Sequence, residues 1–435
     1  MNKFESEQIK HQIYLEQYKS GQANKIIAIL DQSDRKIAEL LKKTKGIYTK
    51  NRYKEIAKEI KRISKSLRNA VENGTDIYGI IEYELKKQKK LLSAIKDDVI
   101  RFNGGKVDFI FPSLEQIKTS ALFAPVTDGM TYQNYLEGIE YGLFNAWDSA
   151  VRTGYLIGQT TDDIVRGVLG GVSGDGKLAD SGSIRSFRNS VYRNTRTVLQ
   201  SFANETRSRV FEANEEYFGD GGNKYEYLAT LDTRSCLVCA NEDGKLYKSL
   251  KDAPKIPRHF GCRCLIIPYF DIDGQTRSST DGYVSDKITF DKWLNMQDEK
   301  TQLDVLGRTR YELFRRGEKI DQFVDNGKTL TLEQLDSRID IKKVLNNNIS
   351  KPDINNFAKH AKDRLSERGV TVDDVYDAIN NPLKTYEVRK DGTYKIIGKS
   401  ATVGVSAYDG KIVTVWKTGK ERLRKIKEQQ NENSE

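Results

Sequence analysis

"LDTRSCLVCANEDGKLY" (residues 231–247) and "IPRHFGCRCLIIP" (256–268) hold all four cysteines of a 435-residue chain. Cys236 and Cys239 form a C-x-x-C pair, and His259, Cys262 and Cys264 follow after 19 intervening residues. Zn²⁺ takes four soft or borderline donors in a tetrahedron, and two short ligand pairs joined by a loop supply them at low entropic cost. Five donors compete for four positions. Cys236, Cys239 and Cys262 are the base set, and His259 and Cys264 contest the last place. If Cys262-Arg263-Cys264 is extended, its two sulfurs project to one face and both can bind metal. A filled tetrahedron leaves no position for water, so the spacing points to structural rather than catalytic zinc. A disulfide or unligated thiols are the alternative. The linking loop holds a turn at 241–245 and prolines at 254 and 257. Such a small unit without a sheet needs a metal to hold its shape.

The N-terminus, "MNKFESEQIK", is charged and lacks the apolar core of a secretory signal, and no apolar run reaches the length of a spanning helix. The expected setting is a reducing cytosol, where clustered cysteines bind metal more often than they pair. The length suits several domains, and the net charge of +10 is consistent with contact to nucleic acid or to an acidic protein.

All seven prolines lie at position 112 or later. Before them, Ile26, Ile29, Leu30, Ile37, Leu40 and Leu41 trace one helical stripe, and Ile56, Ile60, Ile63, Leu67 and Val71 trace another. Gly46 and Gly74 mark breaks, and His11 reads as a solvated residue. The pattern predicts long amphipathic helices in a bundle or an assembly arm. Helical patterning resumes at 132–171, pauses in a Gly-rich loop at 169–183, and continues in a helix whose arginines at 185, 188, 193, 196, 207 and 209 read as a solvated face, with an acidic partner as the alternative. The expected organisation is multidomain and mainly α. It has a helical N-terminal region (1–125), a helical core carrying the small metal-stapled unit (126–338), a polar linker (339–353), and a C-terminal α+β domain (354–435) with an antiparallel sheet of three or four strands. Asp391-Gly392 and Asp409-Gly410 predict its tight turns.

In the C-terminal segment, a helix beginning near Ile354 would bury Ile354, Phe357, Ala361 and Leu365, with His360, Arg364 and Arg368 in a row along its edge. On the last strand, Thr414 and Trp416 alternate and are expected to share a face with Ile412. The tail at 417–427 carries six basic residues against one acid. An imidazole, two guanidiniums and a hydroxyl suffice in kind for metal-independent RNA cleavage. The set lacks a second histidine for the second proton transfer. A nucleic-acid-binding module and a structural domain are the other readings.

The cysteine segment resembles that of phage minor head proteins, the Mu F-like head-morphogenesis family, in which an Asp, C-x-x-C, a "DG" turn, Pro, His and C-R-C follow in this order. "FDKWLNMQ", "VLGRTRYELFRRGEK" and "LTLEQL" extend the likeness over 231–338, and more loosely over 130–338. The resemblance implies a low-copy, portal-associated virion protein acting in head assembly and in DNA packaging or ejection. Its location would be the capsid interior or portal region, after assembly in the host cytoplasm. Its partners would be portal, capsid and scaffold proteins, with DNA or RNA in contact. "KHAKDRLSERGVTVDDVYDAINNP" with "GKIVTVWKTG" resembles toxin-like domains of the barnase–EndoU–colicin–RelE ribonuclease superfamily. That resemblance implies active-site roles for His360, Arg364 and Thr414, with Arg368, Lys399 and Trp416 as further positions, and an immunity protein as a partner.

Overall fold

The computed structural model describes residues 4–44, 50–127, 129–170, 182–219, 222–270, 276–339, 341 and 349–432. The break at Gly46, most of the Gly-rich loop at 169–183 and most of the linker at 339–353 lie outside them. The described chain is mostly helical, with an antiparallel-rich sheet near the C-terminus. It divides into two compact units: residues 1–235 with 242–289, and residues 290–435 with the short insert 236–241. This differs from the expected boundaries at 125 and 338.

The first unit begins with α1 (Phe4–Lys43), α2 (Lys50–Gly74), α3 (Ile77–Ala94), α4 (Lys96–Asn103) and α5 (Leu114–Phe123). It continues with α6 (Tyr132–Leu156), α7 (Thr161–Leu169) and α8 (Arg185–Glu212). α1 packs along α2 and α8, α2 along α6, and α3 along α8, so helices from both sides of residue 125 share one core. Their stripes are buried as the spacing predicts: Ile26, Leu30, Ile37 and Leu41 on α1, and Ile56, Ile60, Leu67 and Val71 on α2. Each such side chain withdrawn from water contributes about 1.5–3 kcal/mol. Ser113, Thr131 and Thr160 start α5, α6 and α7 with capping boxes, in which side chain and backbone satisfy each other's free groups.

Two expectations about polar residues fail in this core. His11 is buried, with Nε2 2.7 Å from Glu84 Oε2. The α8 arginines are not a uniform solvated face: Arg207 is buried and donates from Nε to Glu84 Oε1 at 2.6 Å. Arg188 pairs with Asp31, and Arg196 with Glu16. The helical repeat marks which side of a helix is apolar, but it does not show that an opposing helix brings a matching carboxylate.

After α8 come β1 (Tyr225–Leu228), α9 (Leu237–Ala240), β2 (Leu246–Tyr247) and β3 (Leu265–Pro268), then the hairpin β4 (Thr276–Ser279) and β5 (Gly282–Ser285). β1 is the centre of a three-stranded antiparallel sheet in the order β2-β1-β3. The cysteine segment is therefore built on a sheet, because its first strand lies upstream of the cysteines, where no sulfur marks it. Arg277, fully buried, donates to both oxygens of Asp243 at 2.8 and 2.9 Å, which ties β4 to the turn before β2.

The second unit contains α10 (Phe290–Asn295), α11 (Glu299–Arg315), β6 (Val324–Asp325), β7 (Lys328–Thr329) and α12 (Leu332–Ile339). Gly307 interrupts α11 with φ 68° and ψ 164°, a conformation that favours glycine. Then follow β8 (Asp353–Phe357), α13 (Lys359–Arg368), α14 (Val372–Asn380), β9 (Lys384–Thr385), β10 (Thr393–Ile397), β11 (Ala401–Ser406), β12 (Lys411–Lys417) and α15 (Lys420–Glu432). The sheet has five strands in the order β8-β12-β11-β10-β9, and β8 runs parallel to β12. Ile354 and Phe357 thus lie in a strand, and the helix expected from Ile354 starts at Lys359. Within this unit Tyr408 donates to Thr309 Oγ1 at 3.0 Å, and Lys390 pairs with Asp336 at 2.9 Å. α10–α12 therefore group with the C-terminal sheet.

Candidate functional site

Cys236 caps the single turn of α9, with Ala240 N donating to Cys236 O at 2.9 Å. That turn carries Cys239 back toward Cys236, as two ligands separated by two residues require. His259 and Cys262 are joined by a second turn, in which Cys262 N donates to His259 O at 3.1 Å and Gly261 adopts φ 80°. Gly261 N is held in turn by Thr197 Oγ1 of α8 at 3.1 Å. Cys264 immediately precedes β3, where Leu265 pairs with Leu228.

The ligand atoms of Cys236, Cys239 and His259 lie within 4.8 Å of one another, and so do those of Cys239, Cys262 and Cys264. All five donors are thereby linked, with Cys239 common to both groups. Cys239, Cys262 and Cys264 are 2–3% exposed. None of the four cysteines is in a disulfide. His259 Nδ1 lies 3.1 Å from Phe260 O; in the tautomer that donates to that carbonyl, Nε2 would be the nitrogen offered to a metal. The group fits a soft, borderline metal. It consists of thiols and one imidazole, mostly buried, drawn from two short turns.

Arg263, between Cys262 and Cys264, turns the other way and grips Asp232 with both Nη atoms, Nη2 to Oδ1 at 2.7 Å. Asp232 Oδ1 also accepts from Arg234 N at 2.9 Å, which shapes the chain just before Cys236. Burial pushes the Asp232 carboxyl up, but the Arg263 guanidinium outweighs this and holds it below the usual range. The pair fastens one ligand-bearing segment to the other.

In the C-terminal sheet, His360 is exposed and Arg364 Nε donates to its Nε2 at 3.3 Å. Arg364 also pairs with Glu367 at 2.8 Å, and Arg368 Nη1 donates to Val415 O at 3.2 Å. The row of one imidazole and two guanidiniums along α13 therefore exists. Thr414 does not join it. A bulge at Val413 shifts the pairing of β12, so that Gly404 faces Thr414 while Val405 faces Ile412. Side-chain parity then reverses across the bulge. Ile412, Val415 and Lys417 share one face, and Thr414 and Trp416 share the other. α13 covers the Ile412–Val415 face, where a Cβ at Gly369 would meet the Lys417 ammonium at 3.3 Å. The expectation that Thr414 and Trp416 share a face with Ile412 is corrected by this one extra residue.

The opposite face carries a set that the sequence pattern does not single out. Lys395, Gly404 and Thr414 form one cross-strand row, and Thr402 and Trp416 form the next. The Lys395 ammonium lies 5.3 Å from the Trp416 ring centroid. Burial, then the charges of Arg389 and Arg422, pull Lys395 below the usual lysine range. Gly404 leaves a trough, since a Cβ there would meet Thr414 Cγ2 at 2.7 Å. The alternation in "TYKII" marks Lys395 as lying on the face opposite Tyr394 and Ile396, but only the strand register shows it beside Trp416.

No protein-family model matches the chain, and neither the curated proteins nor the solved structures hold a significant match to it.

Proposed function

We propose that the chain is a phage minor head protein, a low-copy component near the portal that acts in head assembly and in DNA packaging or ejection. In this reading a structural zinc staples its middle. The observation that carries the reading is the convergence of Cys236, Cys239, His259, Cys262 and Cys264, in the order that resembles the head-morphogenesis motif. Cys239 would be a ligand in any arrangement. Cys262 and Cys264 complete one group, and Cys236 and His259 the other. Bound zinc supplies a cross-link between two turns and no reaction step. The chain's own part is to present the donors: Asp232 and Arg263 hold the two ligand segments together, and the Phe260 carbonyl orients His259. The test is to look for the protein in purified virions. Presence at low copy, together with failed or poorly infectious heads when it is deleted, supports the reading. Absence from mature particles and from proheads contradicts it.

For the C-terminal domain, the geometry favours binding nucleic acid without cleaving it. The hydroxyl and the imidazole that cleavage would use lie on different faces, whereas Lys395, Trp416 and Arg422 offer cations beside a stacking ring. The second reading is an RNase-like effector built on His360, Arg364 and Arg368, supported by the intact row on α13. Incubating the full chain with single-stranded RNA separates the two. Binding that survives H360A and fails in a Lys395→Ala, Trp416→Ala variant supports the first. Cleavage abolished by H360A supports the second.

A further inference from the structure

Among the described residues, α2 carries a lane of five lysines, Lys50, Lys54, Lys58, Lys61 and Lys65, all exposed. At 3.6 residues per turn they fall within an arc of about 80° and extend over roughly 22 Å of helix. Neighbours along the lane are three or four residues apart, so each ammonium adjoins the next. The buried stripe of Ile56, Ile60, Ser64, Leu67 and Val71 lies about 120° away around the axis. That side packs on α1 and α6, which leaves the lane facing outward.

The placement of the acids makes the lane unusual. Glu55 and Glu59 lie off to its side, with Glu59 paired with Arg62 at 2.8 Å, and Glu72 is on the lane's azimuth but about two turns beyond Lys65. Among the described residues, no ion pair or hydrogen bond engages any of the five ammoniums. Neighbouring like charges three or four residues apart destabilise a helix. A solvated helix that served only as scaffold would mix acids into the lane. Here the repulsion along the lane is tolerated because the apolar stripe about 120° away is anchored in the core.

We propose that this face of α2 binds the phosphate backbone of double-stranded DNA without reading sequence. Lysine ammoniums are point charges without the fork geometry of arginine, and they suit a partner recognised by charge density alone. The inference rests on the assembly reading only for where the protein meets DNA, since the lane itself belongs to the helix.

The experiment measures binding of the full-length protein to a fluorescent 30-bp duplex between 50 and 200 mM NaCl. The slope of log affinity against log salt shrinks by about 0.9 for each phosphate that is no longer neutralised. Replacing all five lysines by Gln is expected to reduce the slope by about 4.5 and to weaken binding at 100 mM salt at least tenfold. Lys54→Gln with Lys58→Gln, and Lys61→Gln with Lys65→Gln, should each remove about 2, which covers the case of a fivefold variant that folds poorly. An unchanged slope in both double variants overturns the proposal. Equal affinity for poly-glutamate under the same salt overturns the choice of nucleic acid over an acidic protein. A reduced slope in variants of a protein found to hold no zinc keeps this inference and sinks the metal-stapled reading.

Discussion

Asp34 gives the sharpest quantitative prediction. It is fully buried between α1 and α6, where Oδ1 accepts from Trp147 Nε1 at 2.7 Å while Oδ2 has no hydrogen-bond partner among the described residues. Burial pushes its carboxyl from 3.8 up to about 7, and the Trp147 hydrogen bond only partly opposes this. A carboxyl raised in the folded state binds its proton more tightly there than in the unfolded chain. Its penalty is therefore absent below about pH 4, grows as pH rises, and is complete above pH 7. A difference of this size corresponds to at most about 4 kcal/mol. Asp34→Asn keeps the acceptor for Trp147 and removes the charge. It should stabilise the helical unit by about 2–4 kcal/mol at pH 8.5 and by less than about 1 kcal/mol at pH 4. The assay is urea unfolding at both pH values, followed by tryptophan fluorescence with far-UV circular dichroism as the second probe. Equal effects at the two pH values, or destabilisation at pH 8.5, would refute the reasoning.

Other consequences follow from the same core and from the two candidate sites. Glu84→Ala strands the buried Arg207 and His11 and should cost about 3–5 kcal/mol by chemical denaturation; a loss below about 1 kcal/mol would show the network to be dispensable. Burial pushes the Glu84 carboxyl up, but Arg207 and His11 outweigh it and hold it at about 2. Its contribution should be present above about pH 4.5 and fade as pH falls toward 2, which Glu84→Gln should abolish in an acid titration. Arg277→Met should destabilise the first unit by a similar amount, because Asp243 loses its bidentate partner; a melting temperature unchanged from wild type contradicts this. Asp232→Asn should speed zinc release to a chromogenic chelator about 10–100-fold without changing stoichiometry, and an unaltered release rate removes the pair's positioning role.

How far the sequence could be read depended on whether the deciding partner was local. Ile26, Leu30, Ile56 and Ile60 announce their burial by spacing, because one helix contains the whole signal. The cysteines announce their meeting because two short turns and a loop determine it. What failed depended on residues distant in the chain. His11 looked solvated because Glu84 and Arg207 come from other helices. Ile354 and Phe357 also suit a helix stripe, and pairing with β12 decides for a strand. Thr414 lies on the face opposite the one its spacing from Ile412 predicts, because a bulge has no single-residue signature and one unpaired Val413 reverses every position before it. Lys395 was missed for the complementary reason: its significance lies in its cross-strand neighbours.

The most direct test of the central claim is the metal content of the purified full-length protein, measured by mass spectrometry together with a thermal melt before and after chelation. The account requires about one zinc per chain, lost in Cys239→Ser, with a lower melting temperature once the metal is removed. Protein that carries no zinc yet melts at the same temperature with and without chelator would contradict it.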